Sequence, residues 1–179
     1  PRLRRGDRLC VTRRADEEAL DFAHDLARQA VLHGFVVVSG GAVGVDRAAH
    51  EGALDGGGRT VAVLPTGLDS PYPATNRALF DRIVESGCLL TEVDDGASAQ
   101  KGRFLTRNRL VAALASATIV VQAPARSGAL STARIARRLG RRTPTRNALG
   151  RPSGFLSPSP ARRLILWSLP PGGGEGLPC

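Results

Sequence analysis

The sequence predicts an α/β fold in which a mostly parallel sheet is covered by helices on both faces. Three observations carry this. Short apolar, β-branched runs alternate with amphipathic stretches at the spacing that right-handed crossovers need. The apolar runs are continuous rather than alternating, as in parallel strands buried on both faces. Polar, glycine-bearing segments fall where each run passes into the next helix.

In order along the chain, residues 8–12, "RLCVT", make a first short strand. Residues 16–33 make a helix with acids in its first turn, where the helix dipole favours them, and with Ala19, Phe22, Ala23, Leu26, Ala30 and Leu32 on its apolar face. Gly34 stops it, and "FVVVS" at 35–39 follows as a buried strand. A glycine loop leads into a helix over 45–57, then a strand over 59–65 and a loop with two prolines over 66–76. A helix over 77–87, a strand over 88–92 and a polar loop over 93–103 come next. The last units are a helix over 104–116, a strand over 117–123, a loop over 124–128 and a helix over 129–141. The sum is a Rossmann-like three-layer sandwich.

The 179 residues suit one domain, and 42% hydrophobic content is ordinary for a soluble one. Its boundaries are expected as an atypical basic start over 1–14 that includes the first strand, a core over 15–142, and a Pro-, Gly- and Arg-rich tail over 143–179 of the composition that stays disordered. No apolar run approaches the roughly eighteen residues that span a bilayer, and the start has no apolar segment of a leader. A cytoplasmic protein without membrane contact is therefore expected. Cys10, Cys88 and Cys179 are scattered with no metal spacing, so neither disulfide nor metal is expected and Cys88 reads as a small buried hydrophobe.

The net charge is +9, but its distribution is uneven: residues 15–122 hold nine basic and fourteen acidic side chains, and the excess of arginine belongs to the two ends. Of the 25 basic residues all but Lys101 are arginine, which fits GC-rich coding rather than selection for charge.

The loop "SGGAVGVD", 39–46, allows positive φ and close backbone approach, with a helix N-terminus aimed at it; it reads either as a tight turn or as a phosphate cradle. The loop "ARSGALSTA" repeats the arrangement, with helix capping as the alternative for Ser127 and Thr132. In "KGRFLTRNR", Lys101 and Phe104 suit backbone phosphates plus a stacked base, while Phe104 is equally a core residue and Arg107 and Arg109 equally solvated or paired with acids. Asp46 and Asp69 are general-purpose carboxylates, Asp46 most simply favoured by the helix dipole. His50 reads as a helix-face residue rather than a ligand. With no nucleophile elbow, paired carboxylates or Walker lysine, no catalytic residue is assigned and binding rather than turnover is expected.

Taken together, "SGGAVGVDRAAHEGAL", "GLDSPYPATN", "GCLLTE", "FLTRNR" and "RSGALSTA" resemble the DNA-processing protein A family, DprA or Smf, in register over residues 12–142. The resemblance implies a Rossmann-like core that binds single-stranded DNA without an enzymatic step or cofactor, loads the RecA recombinase during natural transformation, and forms a homodimer. By position it implies that Ser39, Gly40, Gly41 and Gly44 contact phosphate, that Lys101 supplies charge and Phe104 stacks on a base, that Ser127 and Gly128 form a second anion loop, that Arg13 reaches the DNA, and that Asn108 belongs to the same DNA-binding set. The chain departs from the pattern at Val43, where a basic residue is common, at the missing glycine before Arg13, at Gln122, where a glutamate is common, and after Arg142. The loss of periodicity and resemblance near Arg142, together with the atypical start, makes out-of-frame translation flanking a genuine core the expectation for both ends. A nucleotide or nucleotide-sugar binder or enzyme of a related fold is the other reading of the same loops.

Overall fold

A computed structural model describes residues 17–121 and 128–143. The expected strand over 8–12, Arg13, Gln122, Ser127 and the tail beyond residue 143 lie outside the described residues.

Helix α1, Glu17–Leu32, opens with Glu17 and Glu18 and buries Ala19, Ala23, Ala27, Ala30 and Val31. Helix α2, Val45–Asp55, answers with Ala48, Ala49, Gly52 and Ala53. Small side chains let the two helices come to backbone contact: a Cβ at Gly52 would collide with the His24 carbonyl. Leu32, expected on the apolar face, is instead 59% exposed. The four-residue alanine spacing carries the buried stripe onto Val31, and the next residue turns away by about 100°.

Strands β1, Val37–Ser39, β2, Thr60–Val63, and β3, Cys88–Leu90, form a parallel sheet in that order, with Val38 opposite Val61 and Ala62 opposite Leu89. β1 and β2 are fully buried, while β3 is half-buried, and Cys88 on it packs against the main apolar cluster as a half-buried rather than a fully buried residue. Helix α3, Arg77–Ser86, covers Ala62, Leu64 and Leu89 with Leu79, Phe80 and Ile83. Helix α4, Lys101–Leu114, brings Val111 into the cluster that holds Val61 and Val63, which alternate with Ala62 and so face the other way. Helix α5, Gly128–Arg138, packs on α4. The result is three layers, helices on both faces of a parallel sheet.

Several expected boundaries move by a few residues. The segment expected as a polar loop over 93–103 gives its last three residues to α4, whose first turn closes through Arg103 and Phe104 N–H on the Gln100 carbonyl at 3.0 and 3.4 Å. The expected strand over 117–123 is buried at Ala117, Thr118, Ile119, Val120 and Val121, as a core strand would be. Ala117 and Val120 both lie at bridge positions; Ala117 pairs in parallel with Arg142, and Thr118 N–H donates to the Arg142 carbonyl at 2.7 Å, while the end of the expected strand lies outside the described residues.

Candidate functional site

The loop from β1 into α2 reaches its helix through Gly44, whose φ of 98° lies in the left-handed region that glycine adopts without strain. Its interior is filled by the chain's own groups. The Asp46 carboxylate, in the first turn of α2, accepts the Ser39 hydroxyl at 2.9 Å and the Ala42 N–H at 3.2 Å. Ser39 is buried, so its hydroxyl is engaged by Asp46 rather than presented to solvent.

Arg107 enters from α4. It is 8% exposed, donates to the Val63 carbonyl at the end of β2, and faces Asp46 across Gly40. A methyl group on Gly40 would strike both the guanidinium and the carboxylate, so both side chains would have to move to admit it. Burial pulls the Arg107 pKa down and Asp46 opposes that pull. Its Nε has no partner among the described residues.

Two further side chains hold the loop's carbonyls. His50 on α2 is fully buried, with Nε2 2.7 Å from the Gly40 oxygen and Nδ1 2.6 Å from Thr60 Oγ1. Burial is the main cause pushing its pKa below the ordinary value. His50 Nε2–H donates to the Gly40 carbonyl, and the Thr60 hydroxyl that lies beside Nδ1 donates to the Val37 carbonyl at 2.8 Å. Asn76 donates its amide to the Gly41 carbonyl at 2.9 Å, and the space beside Gly41 is closed by Phe80 and Leu64. In a peptide unit the C=O and N–H point oppositely. Gripping the Gly40 carbonyl therefore turns the Gly41 N–H away from His50.

The second part of the site is the start of α4. Lys101 is exposed in its first turn, and Phe104 stands one turn on, half-buried. Phe104 is not a core residue: its ring meets Tyr72 edge to face, with centroids 5.7 Å apart and planes at 85°. Arg109 pairs with Glu92 at 2.5 Å, as expected for a residue paired with an acid, whereas Arg107 is buried. The third part is the start of α5. Asn108 donates to the Gly128 carbonyl at 3.3 Å and the Thr132 hydroxyl to the same oxygen at 3.2 Å, so Asn108 ties α4 to the first residue of α5.

The described members of the expected set thus cluster around three helix N-termini on one sheet edge. Asp69 stands apart from the chemistry: both its oxygens accept the Gly96 N–H at 3.0 Å, while Asp95 accepts N–H groups of Leu68 and Asp69, locking loop 67–69 to loop 94–97. Val43, 42% exposed, is an apolar tip on the glycine loop.

His50, Asn76 and Arg107 hold the loop and the adjoining strand, a part that sequence reasoning did not assign to them. A signal existed for two of them. His50 lies one residue after Ala49 and three before Ala53 on the buried stripe of α2, and Arg107 lies four before Val111 on that of α4. A polar group on an apolar stripe must be satisfied inside the protein. Asn76 carried no such pattern, because it lies in a 3-10 turn, Ala74–Asn76.

No group of three or more His, Cys, Asp or Glu among the described residues is arranged to hold a metal. No helix among them is long and apolar enough to cross a membrane.

Comparison with known proteins places this geometry. Residues 9–148 match the family model for DNA recombination-mediator protein A. A DprA-type relative from Mycobacterium tuberculosis is 53% identical over 130 residues, 73% of this chain and 33% of its own length. The DNA processing protein DprA of Streptococcus pneumoniae is 43% identical over 113 residues, 63% of this chain and 40% of its own. Among solved structures, DNA processing protein A from Helicobacter pylori, described for its single-stranded DNA binding mode, superposes with a TM-score of 0.70 at 38% identity, covering 75% of this chain and 61% of that one. The chain spans about a third of the mycobacterial relative. On the family match over 9–148 and these identities, the chain belongs to the DNA recombination-mediator protein A family, DprA or Smf.

Proposed function

We propose that this chain binds single-stranded DNA along the sheet edge that carries the glycine loop and the start of α4. One observation carries the reading: a glycine loop held rigid by buried Arg107, His50 and Asn76 shares that edge with exposed Lys101 and a half-buried aromatic ring one turn away. A rigid loop of backbone donors suits phosphate, and a cation beside a ring suits a chain of nucleotides rather than a single one. In this reading Gly40, Gly41 and Gly44 shape the phosphate cradle, Ser39 acts through Asp46, Lys101 meets a phosphate, Phe104 stacks, and Asn108 positions Gly128. Arg13 and Ser127 are assigned to the groove on family resemblance alone.

The protein acts by binding and has no catalytic step. Loading of RecA, homodimerisation and a cytoplasmic role in natural transformation and recombination are taken from the family reading.

The test is equilibrium binding of oligothymidine and of thymidine monophosphate to the full chain across a salt series. The oligomer is expected to bind in the micromolar range or tighter and to weaken steeply with salt, because counterions are released. Tight binding of the mononucleotide with little salt dependence would instead establish a small-ligand site of the nucleotide-binding kind.

A further inference from the structure

We infer that Tyr72 is a second base-contacting residue, forming with Phe104 a right-angled aromatic corner that receives one nucleobase. This rests on the single-strand reading above.

The two rings stand at 85° with centroids 5.7 Å apart. In such a pair one ring turns its edge to the face of the other. A base stacked on the edge-on ring then lies with its own edge against the face of the second ring. Whichever ring takes the edge-on place, the base touches both. Tyr72 is 37% exposed and Phe104 half-buried, so the pair leaves aromatic surface in water rather than filling the core. The Tyr72 hydroxyl has no hydrogen-bond partner among the described residues.

The corner is also tied to the phosphate cradle. Tyr72 and Asn76 lie on the same short connection between β2 and α3, and Asn76 donates to the Gly41 carbonyl at 2.9 Å. The connection therefore grips the glycine loop at Asn76 and, four residues earlier, meets Phe104 at Tyr72, one turn from Lys101. Loop 67–69 of the same connection is clasped to 94–97 by the paired bonds of Asp69 and Asp95. The spacing between cradle and corner is thus set by a braced segment, which suits a ligand whose phosphate and base lie at a fixed separation.

The chain contains a single tyrosine, so 3-fluorotyrosine labels position 72 alone. Titration with oligothymidine is expected to shift the fluorine resonance, and a base-free oligomer of the same length is expected to leave it in place. Tyr72→Ala should weaken oligothymidine binding by about 5- to 100-fold, the range that loss of one stacked base produces, with Tyr72→Phe close to the parent. Tyr72→Leu, which retains apolar bulk without a π face, should resemble Tyr72→Ala, with circular dichroism confirming that each is folded. On the base-free oligomer all four proteins should bind alike. Unchanged affinity of folded Tyr72→Ala, or a loss that persists on the base-free oligomer, would overturn the corner while leaving the single-strand reading intact. Failure of the parent chain to bind oligothymidine would overturn both.

Discussion

His50 shows how a single buried side chain links this fold to its pH response. Burial holds its folded-state pKa below the ordinary 6.5, so between those two values the unfolded chain binds a proton that the folded chain refuses. The associated stability is complete above 6.5 and is lost as pH falls below it. His24 has the opposite sign. Its pKa is raised chiefly by the hydrogen bond to Asp55, so its contribution is complete below 6.5 and is lost as pH rises through the raised value. That pair is partly open to water, which weakens it. Urea unfolding between pH 8 and pH 5 should therefore show stability falling below pH 6.5, with a slope of up to about 1.4 kcal/mol per pH unit. His50→Gln should flatten that slope; a parent slope no steeper than the variant's would contradict the assignment. Sequence reasoning read His50 as a helix-face residue rather than a ligand, and the structure places it on the buried face of α2. What that reading lacked was the partner: Thr60, at the start of β2, and Gly40, in the glycine loop, are each ten residues away, and only folding brings them to the ring.

At the scale of elements, α1 and α2 depend on small residues for contact. Gly52 has no room for a methyl group because the His24 carbonyl of α1 already occupies the place. Gly52→Ala raises helix propensity, by about 1 kcal/mol in an exposed helix, yet overpacking here opposes it with about 1–3 kcal/mol. Since the obstacle is backbone rather than a side chain that can swing aside, the net effect should be destabilising by about 1–2 kcal/mol. Denaturant unfolding checks this, and a more stable variant would show that the helices can separate at little cost. The alternation of helix and strand was legible from apolar period and from glycine stops such as Gly34. Two things were not. Gln100 begins α4 without a capping side chain, so nothing in the polar run announced the helix start three residues before Phe104. The run 117–121 is apolar enough for a strand, but whether it joins a ladder depends on which backbone lies beside it.

For the whole molecule, the charge pattern matters more than the net charge. Residues 15–122 carry more acid than base, so the proposed DNA strand would meet local positive groups in a segment of net negative charge. Lys101 is exposed, stands in the first turn of α4, and makes no ion pair among the described residues. Lys101→Ala should weaken oligothymidine binding to similar extents across sequences and reduce the slope of log affinity against log salt by about one. An unchanged slope in a folded variant would remove Lys101 from the groove. The sequence by itself determined the parallel three-layer architecture, because buried parallel strands and crossover helices leave distinct apolar periods. It also determined the family, because the glycine loop, "GLDSPYPATN" and "FLTRNR" carry specific residues at specific spacings. Only the tertiary structure decided the roles inside the site. Asp46 takes the Ser39 hydroxyl, Arg107 is buried against Gly40, Asn76 grips Gly41, and Tyr72 meets Phe104. Apart from Ser39 with Asp46, these pairs are separated by more than thirty residues, and which side chain reaches which carbonyl, carboxylate or ring is set by how the layers pack, a property that no local pattern encodes.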